Sequence, residues 1–457
     1  MKKQYLDLVQ FAIEKAKKAG ADEAEAFISD SNSIRIDVSQ REIEGLNAAN
    51  NLGIGFRLLK EGKMISGSSN DLSKSAVLDL LDDLMRKVVF HTVDEFNTLP
   101  GRANSNLLAD WTANSDLLAY DPQMAEISIQ EKIKRALKLE AAGLDYSSKI
   151  AGSMMTVYSD DSTHYYLANT KGISGWFPAS GCGGFAYYSA AEGDDHQSGS
   201  HSHSSVKYTG FDPEKVGCQA AENAIEMLGA KPIESCEIPM VIAPEVSTQI
   251  MGYIVNMLSA DVVQKGKSLF AEKLETSVAS SIFNLIDDGV LKGGIETSPV
   301  DGEGIPRQTT PLIVDGILKN YLYDSYTAKK DGIKSTGNRS RGSFQSPGMI
   351  GSTNLFMKPG DSDVESIFAG IKKGFYLKDA IGLHAGIDST SGDFSIPAAG
   401  FMIADGVKSY PVRGISIGGN LFELLSTIDQ IADNLTWNNN IACPTFSVSN
   451  ILIGGSS

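Results

Sequence analysis

Residues 391–412 read SGDFSIPAAGFMIADGVKSYPV, short apolar runs broken by Gly, Asp and Ser. The same texture recurs on both sides, in LIVDGILKNYLYD (312–324), TNLFMKPGD (353–361), GFYLKD (374–379) and FSVSNILIGG (446–455). Such runs bounded by turn-forming residues read as antiparallel strands, and their number predicts a closed or sandwiched β region. This texture begins at EIPMVIAPEV (237–246) and is interrupted by a helix near 245–264, whose stripe is Val246, Ile250, Ile254, Met257 and Leu258.

Working outward to the N-terminus, residues 4–19 have helical spacing and Gly20 is placed to end the helix. Ile34, Ile36 and Val38 alternate with polar residues as a strand does, and Glu61-Gly62 offers a hairpin turn. Helices are expected at 72–89, 124–142 and 213–229, and an irregular connection at 94–121. Strands are expected in MMTVYSDDSTHYYLANT (154–170) and CGGFAYYSAAEG (182–193), separated by turn-rich KGISGWFPASG (171–181). The fold class is therefore α+β: N-terminal and central units of helices with antiparallel sheet, then a mainly antiparallel β domain, barrel- or sandwich-like. The expected boundaries are 1–100, 101–232 (which may form one domain with the first) and 233–457.

A chain of 457 residues exceeds one ordinary core. Its net charge of −16, with no run of Lys and Arg, disfavours direct binding to nucleic acid. A charge-interrupted start and the lack of a long apolar stretch predict neither a signal peptide nor a membrane span. Cys182, Cys218, Cys236 and Cys443 are scattered with no CxxC pair, which suits reduced thiols and a cytoplasmic location.

Several motifs invite a chemical reading. GDDHQSGSHSHSS (193–205) holds His196, His201 and His203, three of the six histidines, beside Asp194 and Asp195. Imidazole and carboxylate are transition-metal ligands, but the Ser/Gly-rich setting predicts a solvated loop without the support that orients ligands, one whose charge changes near pH 6.5. Gly53 and Gly55 form only a GxG, more in keeping with a bend or close backbone contact than a nucleotide loop. Asp287, Asp288, Asp301 and Glu303 resemble a hard-cation set but lack EF-hand spacing, and read as turn carboxylates that Lys329, Lys334, Arg339 or Arg341 can pair. No HExxH occurs.

The ordered series GKSLF, DDG with DGEG, PLIVDGIL, STGNRSR, TNLFMKPGD, GFYL, SGDFSIPAAGFMIADG and PTFSVSNILIGG resembles the TldD/PmbA (TldE) family, once called modulators of DNA gyrase. GADEAEAF (20–27) and the 52–69 hairpin extend the resemblance over nearly the whole chain. In that family TldD-type subunits carry HExxxH, two His and a later Cys holding zinc and Glu acting as base. Here Pro244 and Gln249 stand at the histidine positions of APEVSTQIMG (243–252), Glu245 alone matches, and Cys443 is not carried over. Proline offers no donor atom and a carboxamide is a poor zinc ligand.

The resemblance thus implies a PmbA/TldE-type subunit without zinc of its own, paired with a zinc-bearing TldD-type subunit or with itself, that helps degrade or trim unfolded peptides. Peptide-binding candidates are Ser335, Thr336, Gly337, Asn338 and Arg339, and Gly392, Asp393, Phe394 and Ser395. The alternatives are a self-sufficient metallopeptidase using His196, His201 and His203, and a homodimeric peptide-binding protein without catalysis.

Overall fold

The computed structural model describes residues 2–101, 111 and 115–455. Residues 102–110 and 112–114 of the irregular connection expected at 94–121 thus lie outside the described residues. Helix α1 (Lys2–Lys18) ends at Gly20, whose φ of +92° suits glycine. Strand β1 (Glu23–Ser39) turns through Gln40 and Arg41, both at positive φ, into β2 (Glu42–Lys60). Glu61-Gly62 forms the next hairpin, to β3 (Lys63–Ser69). Helices α2 (Lys74–Lys87) and α3 (Ile129–Leu144) are capped by Ser73 and Ser128 hydroxyls accepting from Ala76 and Glu131 amides. Strands β4 (Ile150–Asn169), β5 (Ser174–Glu192) and β6 (Asp195–Ser205) precede α4 (Pro213–Glu226).

These strands form one antiparallel sheet in the order β3-β2-β1-β4-β5-β6. Strand β1 pairs with β4 from Glu25↔Asn169 to Val38↔Thr156, so the first and central units share a sheet. The helices cover one face: Val9, Ala12 and Ile13 of α1 and Val77 and Leu81 of α2 pack on Ile28, Ile54 and Phe56. Two expectations need correction. The segment 171–181 is a short turn followed by the first part of β5, and 193–205 is an edge strand, not a mobile loop. The ladder from Cys182↔Ser205 to Glu192↔Asp195 orders it despite a composition that buries little.

Strand β7 (Cys236–Ile242) leads to α5 (Pro244–Met257). The single helix expected over 245–264 breaks at Ser259, where the backbone bridges to Leu322, before α6 (Ala260–Gln264). Then come β8 (Leu285–Asp288), β9 (Thr309–Val314), β10 (Ile317–Leu318), β11 (Arg339–Ser340), β12 (Met349–Ile350) and β13 (Asn354–Met357). The last strands are β14 (Lys373–Ala380), β15 (Asp393–Ala404), β16 (Val407–Asn420), β17 (Ile428–Ile431), β18 (Thr436–Asn438), β19 (Ile441–Cys443) and β20 (Phe446–Gly454).

A second sheet runs β10-β9-β8-β13-β19-β18. The third runs β16-β15-β14-β7-β20-β17, and pairing of Ser416–Gly418 with Leu452–Gly454 closes five of its strands into a barrel. The fold class is thus α+β with a barrel, as the C-terminal texture predicts. The stripe of α5 is buried against the barrel: Val246, Ile250 and Ile254 share a core with Met240, Ile242, Phe375 and Leu377. Among the described residues no helix is long and apolar enough to cross a membrane.

The N-terminal sheet is keyed to the C-terminal region by a buried charge cluster. Arg57 on β2 donates to both oxygens of Glu25 (3.0 and 2.6 Å) and to Glu303 (2.8 Å), and Arg341 donates to Glu25 (2.6 Å). Gly53 and Gly55 lie beneath Phe344: an added Cβ would sit 2.4 Å from its ring and 2.1 Å from its carbonyl oxygen, respectively. The GxG is therefore a close-contact surface.

Candidate site at the start of helix α5

Ala243 precedes α5 in an extended conformation and contributes no side-chain cap. Pro244 occupies the first turn, where its missing N–H costs nothing, and Glu245 follows where the helix dipole favours an acid. Glu245 Oε1 accepts from Lys378 Nζ at 2.7 Å, while its Oε2 is buried without a hydrogen-bond partner. Lys378 sits at a register shift of β14 between Leu377 and Asp379, and the Ala243 amide donates to the Leu377 carbonyl just before it. A bulge here re-aims one side chain at the helix start. Sequence patterning gave no signal for Lys378, because a bulge leaves none.

Strand β6 reaches the same place. His201 lies close enough for the Glu245 charge to favour its protonation, yet burial pushes its pKa below the ordinary 6.5, with His203 and Lys378 pushing the same way. Burial likewise lowers His203, which stacks on Phe211 at 6.3 Å between ring centroids. The expected titration near pH 6.5 is thus corrected downward for both. His196 is exposed and five positions from His201, hence on the opposite face and about 17 Å away. The three histidines do not converge, and among the described residues no group of three or more His, Cys, Asp or Glu is arranged to hold a metal ion.

Beyond Gln249 the outer face of α5 opens on a cleft of about 440 Å³, lined by Gly252, Tyr253, Asn256, Gly382 and Asn440 among others. Gln249 is exposed, and its amide donates to the Glu245 carbonyl at 3.1 Å. Cys443 is fully buried in β19, where burial pushes its thiol pKa up.

The remaining candidates fall elsewhere. Ser335 and Thr336 hydroxyls both donate to the Tyr323 carbonyl at 3.1 Å. Gly337 has φ +75° with Pro306 packed on it, and buried Asn338 donates to Asp287 at 2.7 Å. Arg339 pairs with Asp324, and its backbone N–H donates to Asp301. Gly392, at φ +82°, leads into β15, where Asp393 accepts from Asn420 at 2.9 Å, Phe394 is buried and Ser395 is exposed.

The acidic set is likewise engaged. Asp287 accepts from the Thr353 amide (2.6 Å), Asp288 from Thr309 (2.9 Å), Asp301 from the Glu303 and Ile305 amides (2.9 Å each), and Glu303 pairs with Arg57. These bonds hold the turns. Of the basic residues, Lys329 donates to the Glu95 carbonyl at 2.5 Å and Lys334 is exposed.

Residues 24–88, 123–228 and 235–455 match, in order, domain 1, the central domain and the C-terminal domain of the PmbA/TldA metallopeptidases. The chain belongs to the PmbA/TldD family. It is 24% identical over 439 residues to the metalloprotease PmbA of Escherichia coli O157:H7, covering 95% of this chain and 93% of that one. It is 34% identical to the metalloprotease TldD homolog of Buchnera aphidicola subsp. Schizaphis graminum, over 180 residues (39% of this chain, 37% of that one). The fold superposes on TldE from Thermococcus kodakarensis with a TM-score of 0.87 at 19% identity, covering 98% of this chain and 100% of that one. Like those PmbA/TldD relatives, this chain is metallopeptidase-like in sequence.

Proposed function

We propose that the chain is the PmbA/TldE-type subunit, without zinc of its own, of a TldD/TldE-type metalloprotease that degrades or trims unfolded peptides in the cytoplasm. The observation that carries this reading is the start of α5, where Pro244 and Gln249 flank the single acid Glu245. A hydrolytic zinc needs three protein ligands and an open position, and the zinc in turn acidifies the attacking water. Proline and a carboxamide cannot supply the ligands, and the ion pair to Lys378 engages one oxygen of Glu245. The zinc then belongs to a TldD-type partner, and this subunit shapes the peptide path. The uncharged cleft along α5 and the entry to β15 at Gly392–Ser395 suit an extended peptide held by main-chain hydrogen bonds. Four free cysteines accord with a reducing compartment.

His201 beside Glu245 favours the rival of an autonomous metal site, but the two supply fewer ligands than zinc catalysis requires. Co-expression with the TldD homologue of the same organism tests the proposal. The expected result is a stable complex that cleaves an unfolded peptide while this chain alone does not. Absence of a complex, with cleavage indifferent to this chain, refutes it.

A further inference from the structure

On the sheet face away from the helices, a cleft of about 460 Å³ lies between the strands and the loop at Ile295. One ladder row of its floor, Ala49↔Ser33↔Asp161↔Gly181, crosses β2, β1, β4 and β5 with Asp161 as its single long side chain. Neighbours this short leave room above the strands and cannot cover the carboxylate. Glu296, next to Ile295 on the facing loop, is close enough for the Asp161 charge to act on it, and both charges reach the Tyr165 phenol. Both carboxyls are open to the cleft. The protein around them still displaces enough water to push each pKa up, and Asp160 adds to this at Asp161 as Asp161 does at Glu296.

The chain supplies no contacting counter-charge. Among the described residues neither carboxylate forms an ion pair. Arg35, the one charged side chain in the next ladder row, is turned to Asp37 at 2.6 Å. Arg307 favours the charged form of Glu296 from a distance, while its guanidinium donates to the Ser298 hydroxyl (3.2 Å) and the Gly337 carbonyl (3.1 Å). The pair does not suit a metal ion either: among the described residues no group of three or more His, Cys, Asp or Glu is arranged to hold one. Two opposed acids over a floor of small neutral residues fit an organic cation, which brings its own hydrogen-bond donors.

We propose that Asp161 and Glu296 hold an ammonium group of an extended peptide, a lysine side chain or a free amino terminus, in this cleft. The inference rests on the reading of the chain as a peptide-handling subunit and names what the peptide path prefers. A net charge of −16 draws such peptides to the surface, and the acid pair fixes where the cation stops.

Binding of labelled peptides to the full chain, followed by fluorescence anisotropy, is the test. The probes are an uncharged, unfolded dodecapeptide blocked at both ends, the same peptide with one lysine, and the same peptide with a free amino terminus. At least one cationic probe should bind about tenfold more tightly than the blocked one, and which of them does so identifies the source of the ammonium. Asp161→Asn with Glu296→Gln should remove that gain, with binding of the blocked peptide and the circular dichroism spectrum unchanged, and each single change should lower it in part. Asp7→Asn with Glu14→Gln, at two exposed acids of α1, alters net charge equally and should leave the gain intact. No gain in wild type, a gain that survives the cleft variants, or one that falls equally in the α1 variant overturns the proposal. Those results leave the subunit reading standing, since that reading fails in co-expression, when no complex forms.

Discussion

His201 and His203 show how a residue's neighbours replace its textural meaning. In the sequence they belong to a polar, loop-like run; in the fold they project from one face of β6 and are partly buried, His201 toward Glu245 and His203 onto Phe211. Both imidazoles are held below their ordinary pKa of 6.5. A folded-state pKa below the unfolded value means that the unfolded chain takes up protons first as pH falls. The contribution of these two imidazoles to stability should therefore be constant above about pH 7.5 and decline as pH drops through 6.5 toward the folded-state values. Thermal melts across that window check this, and His201→Gln with His203→Gln should flatten the decline. At the same scale, Pro244, Glu245 and Gln249 were legible in the sequence because donor chemistry is a property of the residue. Lys378 was not, because a bulge brings it there from β14.

The elements read well where period and burial agree. The stripe of α5 is fully buried at Val246 and Ile254, as its spacing predicts. Ile254→Ala should cost about 2–5 kcal/mol, read as a lowered midpoint in urea. A loss below about 0.5 kcal/mol would mean that the barrel core does not depend on this helix face. The hairpin at Glu61-Gly62 and the helix end at Gly20 were legible because a positive φ demands such residues. The strand β6 was missed because its period-two signal lies among Ser, Gly and His, with no apolar face to mark it. The break between α5 and α6 was missed because a tertiary bridge from Ser259 to Leu322 makes it.

Across the whole molecule, the sheet and the barrel region meet at Glu25, Arg57, Glu303 and Arg341, whose side chains are all at most 3% exposed. Burial works against each charge, but Arg57 and Arg339 hold Glu303 well below the usual carboxylate range, and Arg57 and Arg341 do the same for Glu25. Removing one member leaves an uncompensated buried charge. Arg57→Met should thus cost about 3–5 kcal/mol, whereas replacing the whole cluster with apolar residues should cost much less. Denaturant melts of both variants check it. No spacing in the sequence joins Arg57 to Glu303; only the assembled fold does. The acidic balance and the β-rich C-terminal half were legible from composition and turn residues, and the family from its ordered motifs.

Zinc counting in a purified complex of this chain with a TldD-type partner tests the central claim most directly. The complex should hold one zinc for each pair of chains, and Glu245→Gln in this chain should leave both the zinc and peptide cleavage within about twofold of wild type. Two zinc ions per pair, or cleavage reduced a hundredfold or more by Glu245→Gln, would contradict a subunit that has no metal chemistry of its own.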